Sequence, residues 1–304
     1  MSSRMPWHGV VVATALPFRE DLSVDLDAYA ENLRGLIEAG CDGVCPNGSL
    51  GEYQTLTDAE RAAVVRTAVE TVGGDRVLAG IAAYGSMESR RWAEQAAEAG
   101  AGAVMLLPPN AYRADERSVL AHYQAVAEVG IPIVAYNNPI DTKVDLVPEL
   151  LQRLHEAGYI RAVKEFSGDT RRAYRIKELA PDLDLLIGAD DVLLELALAG
   201  AVGWISGYPN AIPNVCVELY RAATTGDLEQ ALPLYRELHP LLRWDSRTEF
   251  VQAIKLSMDL AGLHGGACRP PRVPLLPEQS DTIKADTLRV LPLEDKARER
   301  KQQA

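Results

Sequence analysis

The sequence predicts a (β/α)8 TIM barrel with a small C-terminal helical domain, and three observations carry that prediction. Short apolar, β-branched runs alternate with helical stretches rich in Ala, Glu, Arg and Leu between residues 9 and 206. The runs are apolar on both faces, as strands are in a parallel sheet covered by helices. The turn after the first run, "ATALPFRED", has no GxGxxG, the fingerprint that a doubly wound sheet normally carries there. Eight such strands in one stretch of chain close into a barrel.

The strands are expected at "GVVVATA" (9–15), "GVCP" (43–46), "VLAGIA" (77–82) and "AVMLLP" (103–108). They continue at "PIVAYN" (132–137), "RAVKEF" (161–166), "LDLLIG" (183–188) and "VGWIS" (202–206). Helical patterns lie between them at about 25–39, 58–72, 86–99, 116–129, 146–157, 170–180 and 190–199. "TDAE" at 57–60 is a capping box, and "SMES" at 86–89 offers a serine as a helix start. Several helices stop at a glycine, as in "EAG" (38–40 and 98–100), "EVG" (128–130) and "LAG" (198–200). The barrel is assigned to residues 8–212. Residues 213–280 read as helices with no following strand, a helical domain that ends in the Pro-rich "CRPPRVPLLPE" (268–278). Residues 281–304, closing in "LEDKARERKQQA", read as a charged and solvated tail.

Bulk composition narrows the function. The chain has 304 residues, 47% hydrophobic and 24% charged, which is ordinary for a soluble globular protein. A net charge of -12 argues against nucleic acid and anionic membranes as partners. The N-terminus "MSSRMPWHGV" lacks an apolar h-region and no run approaches ~18 apolar residues, so a soluble cytoplasmic protein is expected. Cys41, Cys45, Cys216 and Cys268 form no CxxC pair and read as reduced thiols. His8, His122, His155, His239 and His264 are scattered, with no HExxH, and the chain has neither a GxSxG elbow nor a P-loop. Asp190 and Asp191 in "GADD" could pair on a metal, but the start of a helix explains them fully. No metal is expected.

Active sites of such barrels are built at the C-terminal ends of the strands. That makes a search list: "PNGSLGE" (46–52), "LLPPNAY" (106–112), "AYNNPIDTK" (135–143), "IGADD" (187–191) and "WISGYPN" (204–210). Lys164 stands out inside the sixth strand. Alternation puts Ala162, Lys164 and Phe166 on one face and Val163 and Glu165 on the other. A lumen-facing Lys164 would lose water, and its amine would become a nucleophile able to form a Schiff base with a ketone. A lumen lysine paired to a carboxylate of another strand fits the same pattern. Tyr136, near the end of the adjacent strand, could pass protons or could be a packed core tyrosine. The "GSLGE" turn offers a hydroxyl and backbone N–H groups to a carboxylate, although many tight turns look like it.

Taken together, "GSLGE", "YNNP", "VKEFSGD" and "GWISG" at four strand ends resemble the dihydrodipicolinate synthase/N-acetylneuraminate lyase family, over about residues 8–275. That family comprises Schiff-base-forming lyases on (β/α)8 barrels with a C-terminal helical domain. Its members need no cofactor and are usually homotetramers built as a dimer of dimers. The resemblance implies that Lys164 is the Schiff-base lysine, Tyr136 the proton-relay tyrosine and Ser49 the relay hydroxyl. It further implies that Gly48 and Leu50 belong to the turn that binds the keto acid's carboxylate. Ile205 falls where a main-chain carbonyl faces that acid.

Two departures concern the distal pocket. The synthases carry an arginine in "YNxPxRTG" that grips the second substrate's carboxylate, and here Asp141 stands in its place. They also carry a tyrosine pair after the fourth strand, where this chain has Asn110 at the relay position and Tyr112 two residues on. Lys143 is available for a more remote anion. The expected function is therefore a lyase acting on a pyruvate-type 2-oxo acid, by aldol cleavage or condensation, dehydration or deamination. A deoxy sugar acid or a hydroxyproline-derived imino acid would suit it. The alternatives are a 4-hydroxy-tetrahydrodipicolinate synthase, a keto-acid-binding paralogue without turnover, and a metal-dependent lyase using Asp190 and Asp191.

Overall fold

A computed structural model describes residues 5–110 and 112–303. Eight parallel strands form one sheet in the order β2-β1-β8-β7-β6-β5-β4-β3. They are β1 (Gly9–Ala13), β2 (Gly43–Cys45), β3 (Leu78–Gly80), β4 (Ala103–Leu106), β5 (Ile133–Asn137), β6 (Ala162–Glu165), β7 (Asp184–Ile187) and β8 (Gly203–Ser206). The two ends of that order meet through a parallel bridge, Val44 to Val77, and the Gly80 N–H donates to the Pro46 carbonyl. The sheet is thus a barrel, as the apolar alternation predicts. Around it run α1 (Leu26–Ala39), α2 (Asp58–Val72), α3 (Ser86–Glu98), α4 (Glu116–Ala127), the single turn α5 (Pro139–Thr142), α6 (Pro148–Glu156), α7 (Arg171–Leu179) and α8 (Leu193–Leu198).

Strand alternation divides the core into two clusters. Val11, Leu78, Met105, Val134, Ala162, Leu186 and Ile205 fill the lumen. Their sequence neighbours, such as Val10, Val12, Val104, Val163 and Leu185, pack outward against the helices. The lumen floor is closed by Trp7, whose indole N–H donates to Asp184 (2.8 Å). Gly203 must be glycine there, since a Cβ would lie 2.1 Å from the Trp7 carbonyl oxygen.

The chain then leaves the barrel for α9 (Pro213–Thr225), α10 (Leu228–Leu242), α11 (Phe250–Leu260) and α12 (Pro277–Gln303). The expected solvated tail over 281–304 is corrected here. Residues 281–303 belong to α12, which buries Ile283, Thr287, Val290 and Ala297. Its Glu294 carboxylate accepts the backbone N–H groups of Asn214 (3.2 Å) and Val215 (2.8 Å). Those are first-turn donors of α9 that no helical carbonyl can reach, so an anion there is stabilising. A charged, alternating sequence concealed this buried stripe.

Two local expectations also change. The capping box at Thr57–Glu60 forms, with both reciprocal bonds. Ser86 is not a cap: Gly85 holds that position, and the Ser86 hydroxyl instead meets His122 Nδ1 (3.0 Å). Asp190 does not cap α8 either. It is fully buried and accepts from the Trp204 indole (3.0 Å) and the Tyr208 backbone (3.3 Å). Cys41, Cys45 and Cys216 are buried free thiols. Among the described residues, no helix is long and apolar enough to cross a membrane.

The barrel and the C-terminal helices are joined by an ion pair without solvent. Lys255 on α11 donates to Glu52 (2.8 Å), and both side chains are buried. The second Glu52 oxygen accepts the Arg269 backbone N–H (2.9 Å), and the lysine also reaches the Ala267 carbonyl (2.8 Å). Removing one member leaves an uncompensated buried charge, typically a cost of ~3–5 kcal/mol. Lys255→Met is therefore expected to lower the unfolding free energy measured by denaturation by ~3–5 kcal/mol, whereas a change under about 1 kcal/mol would show that solvent reaches the pair.

Candidate active site

A cavity of about 340 Å³ opens at the C-terminal ends of the strands. Every site residue named from the sequence lines it: Gly48, Ser49, Leu50, Asn110, Tyr136, Asp141, Lys164 and Ile205. The sequence did not point to Asn138, Asp245, Arg247 and Arg272, which share the same walls. A larger cleft of about 750 Å³ lies between α1, α9 and α12, and neither Lys164 nor Tyr136 lines it.

Lys164 faces the lumen from β6, in register with Tyr136 on β5. Only 6% of it is exposed, and among the described residues it has no carboxylate within 4.0 Å. Its nearest ring is Tyr136, whose centroid lies 4.4 Å from the ammonium nitrogen, with Phe166 at 5.8 Å. A cation over a ring face is only partly compensated for lost water. Burial accordingly pulls the Lys164 pKa down, against the opposing pull of Asp245, Cys45 and Asp190. The paired-lysine reading, open in the sequence, is not what the geometry holds.

Tyr136 is buried, which pushes its phenol upward and keeps it a neutral donor and acceptor. Asn138 ties it to the distal wall: one amide group donates both to the Tyr136 hydroxyl (3.3 Å) and to Asp141 (2.8 Å). The Asp141 backbone N–H returns a bond to the Asn138 side chain (3.1 Å), which is the cap of α5. Asp141 is thus held in the cavity wall by a local turn. Lys143 folds back onto the Ile140 carbonyl, and Tyr112 is 63% exposed on the outer surface.

Opposite Lys164 lies the turn after β2. Asn47 and Glu52 bracket it with positive φ values of 57° and 53°, a conformation that costs non-glycine residues energy and must be held by contacts. Asn47 donates to the Arg61 carbonyl (2.9 Å), and Glu52 is the residue pinned by Lys255. Between them, the backbone N–H groups of Ser49 and Leu50 have no acceptor among the described residues. Both residues line the cavity, and free donors in such a turn are what an anion-binding concavity is built from.

Asp245 enters from the turn Arg243–Ser246, outside the barrel. Burial pushes its carboxyl up to about 7, against the lowering influence of Lys164. Nothing in the composition of "WDSRTEF" marks Asp245; its one signal is that it interrupts two helical patterns. Asp190 and Asp191, the pair considered for a metal, diverge. The first holds the Trp204 indole, and the second accepts from the Ser246 hydroxyl (2.9 Å). Among the described residues, no three His, Cys, Asp or Glu side chains form a group able to hold a metal ion.

Comparisons with known proteins place the chain in a family and agree with its fold. The model of the dihydrodipicolinate synthetase family matches residues 6–289. The 4-hydroxy-tetrahydrodipicolinate synthase of Methanopyrus kandleri is 36% identical over 280 residues, 90% of this chain and 92% of the relative. A crystal structure of dihydrodipicolinate synthase superposes with a TM-score of 0.90 at 30% identity, covering 94% of this chain and all of that one. A prophage protein of that family from E. coli K12, solved in complex with pyruvate, superposes with a TM-score of 0.85 at 28% identity, covering 91% and 96%.

Gly188 tests how tightly the lysine is held. A Cβ there would lie 2.4 Å from the Glu165 carbonyl oxygen and 3.1 Å from Lys164 Cγ. Backbone cannot yield as a side chain does, so Gly188→Ala is expected to cost ~1–3 kcal/mol in stability. It should also depress any reaction at Lys164 more than tenfold in the protein that remains folded at 25 °C, read by denaturation alongside activity.

Proposed function

Since the chain belongs to the dihydrodipicolinate synthetase family, a family of lyases, we propose that it is a lyase acting on a pyruvate-type 2-oxo acid through a Schiff base at Lys164. The observation that carries this reading is the unpaired, desolvated Lys164 set over Tyr136 in a cavity that it shares with the free backbone donors of Ser49 and Leu50. The substrate carboxylate would lie on the Ser49–Leu50 N–H groups, which sets its ketone against the amine. The neutral amine adds to the carbonyl carbon, and the carbinolamine loses water to give a protonated imine. That cation accepts the electron pair of the bond broken at the adjacent carbon. Tyr136, and the Ser49 hydroxyl with it, would carry protons to and from the oxygen during these steps.

Asp141 and Asn110 favour a substrate with hydroxyl or amine groups at its distal end. Two like charges ~4 Å apart at an effective dielectric of ~20 repel by ~4 kcal/mol, so a second carboxylate beside Asp141 would bind weakly. A deoxy sugar acid or a hydroxylated cyclic imino acid fits those walls. A second reading, 4-hydroxy-tetrahydrodipicolinate synthase, has support of its own. The names carried by the relatives favour it over the particular substrates of the first. Arg247 and Arg272 also line the cavity, and among the described residues neither makes an ion pair, so a second carboxylate could be met by either. Tyr84, Met87 and Tyr112 are 76%, 88% and 63% exposed, which supports a homo-oligomer that covers them, such as the family's dimer of dimers.

Pyruvate with borohydride is expected to add one reduced adduct per chain, mapped to Lys164 by peptide mass and absent in Lys164→Ala. An adduct on a different lysine would overturn the assignment. The trapped enzyme's relatives among substrates then separate the two readings. Turnover of hydroxylated 2-oxo acids with negligible condensation of pyruvate and aspartate semialdehyde is expected; efficient condensation would establish the second reading.

A further inference from the structure

One carboxylate of the cavity belongs to neither the strand ends nor the family motifs. Asp245 is carried in from the helical segment between α10 and α11, and its exposed part faces the cavity that Lys164 and Tyr136 line. Its position is tightly defined: Oδ1 lies 2.8 Å from where a Cβ on Gly207 would stand, just past β8. The Asp190 backbone N–H donates to it. The groups around it are Lys164 on β6, Tyr136 on β5, Asp190 and Asp191 after β7, Tyr208 after β8 and Arg247 on its own segment. Among the described residues it makes no ion pair. Yet of all charges acting on Lys164, that of Asp245 is the largest.

We propose that Asp245 is the proton store and counter-charge of the lysine that forms the Schiff base. This rests on the lyase reading above. The Lys164 ammonium gives one proton to the Asp245 carboxylate, directly or through the cavity's water, leaving a neutral amine and a neutral acid. The amine's lone pair forms the N–C bond to the 2-oxo acid while the carbonyl π pair moves onto oxygen, which is protonated through Tyr136 by the proton leaving nitrogen. The stored proton on Asp245 then departs with the hydroxyl as water. The product is a protonated imine facing a carboxylate again, so protons and charge balance with no external reagent. In bulk water the first transfer runs uphill by roughly six pKa units. Here burial lowers the amine and raises the acid to about 7, so the two proton affinities approach each other. Because Asp245 exchanges protons with the reacting amine and the departing hydroxyl, it is a catalytic residue in this scheme.

The pH dependence has a definite sign. Below about 7 the store is already full, so imine formation should fall as the pH drops through that value. Single-turnover trapping of pyruvate, from pH 6 to 8.5, is expected to show this inflection in the wild type. Asp245→Asn should form the imine about 10–100-fold more slowly at pH 7.5 and lose the inflection, and Asp245→Glu should restore both in part. Because the native state holds this proton more tightly than the unfolded chain, its stabilising effect fades as the pH rises through about 7. Asp245→Asn should therefore melt at the same or a higher temperature than the wild type at pH 8, opposite to the loss of a structural carboxylate. An unchanged rate and inflection in Asp245→Asn would overturn the inference, as would a wild-type profile that is flat across pH 7. A wild type that traps no pyruvate on Lys164 would instead overturn the lyase reading itself.

Discussion

A lysine deprived of water and left without an ion pair is the constraint around which this molecule is arranged. Lys164 points into a lumen filled by Ala162, Leu186 and Ile205, and its closest electrostatic partners are the faces of Tyr136 and Phe166. Such a group resists protonation. Holding it there requires strands that cannot spread, which explains the glycines where a Cβ would strike backbone, at Gly188 and Gly203. It also requires that carboxylates stay near but not in contact, a condition that Asp245 and Asp190 meet.

The C-terminal helices are part of this arrangement rather than an appendage. Lys255 on α11 fixes Glu52, and Glu52 holds one end of the turn whose Ser49 and Leu50 line the cavity. Asp245 arrives from the same helical segment, and α12 closes the unit by capping α9 with Glu294. The barrel alone would present the lysine. The helices supply the charge around it and the tension in the turn opposite.

The legibility of the chain followed from local rules. Barrel strands and their facing were readable because lumen and helix layers impose strict alternation, which is why Lys164 faces the lumen from β6 as expected, in register with Tyr136 on the adjacent strand. Turn residues were readable because "GSLGE" is contiguous. What escaped depends on contacts between distant segments. Asp245 lies 81 positions from Lys164, and no periodicity marks a residue whose meaning comes from the cavity it enters. The buried stripe of α12 escaped because charges at 281, 284, 286, 289, 294 and 298 outnumber its apolar contacts, although Glu294 itself is buried by the helix end it caps. Asn138 escaped because its role, joining Tyr136 to Asp141, exists only in the folded turn.

The most direct measurement is the titration of Lys164 itself. Carbon-13 labelling at lysine Cε, with the Lys164 resonance assigned through Lys164→Arg, gives its pKa in the free enzyme by NMR. The result expected is a transition well below the ~10.4 of ordinary lysines. A Lys164 that titrates with the surface lysines would mean that the lumen is wet at this depth, and a neutral nucleophile at neutral pH would have no physical basis.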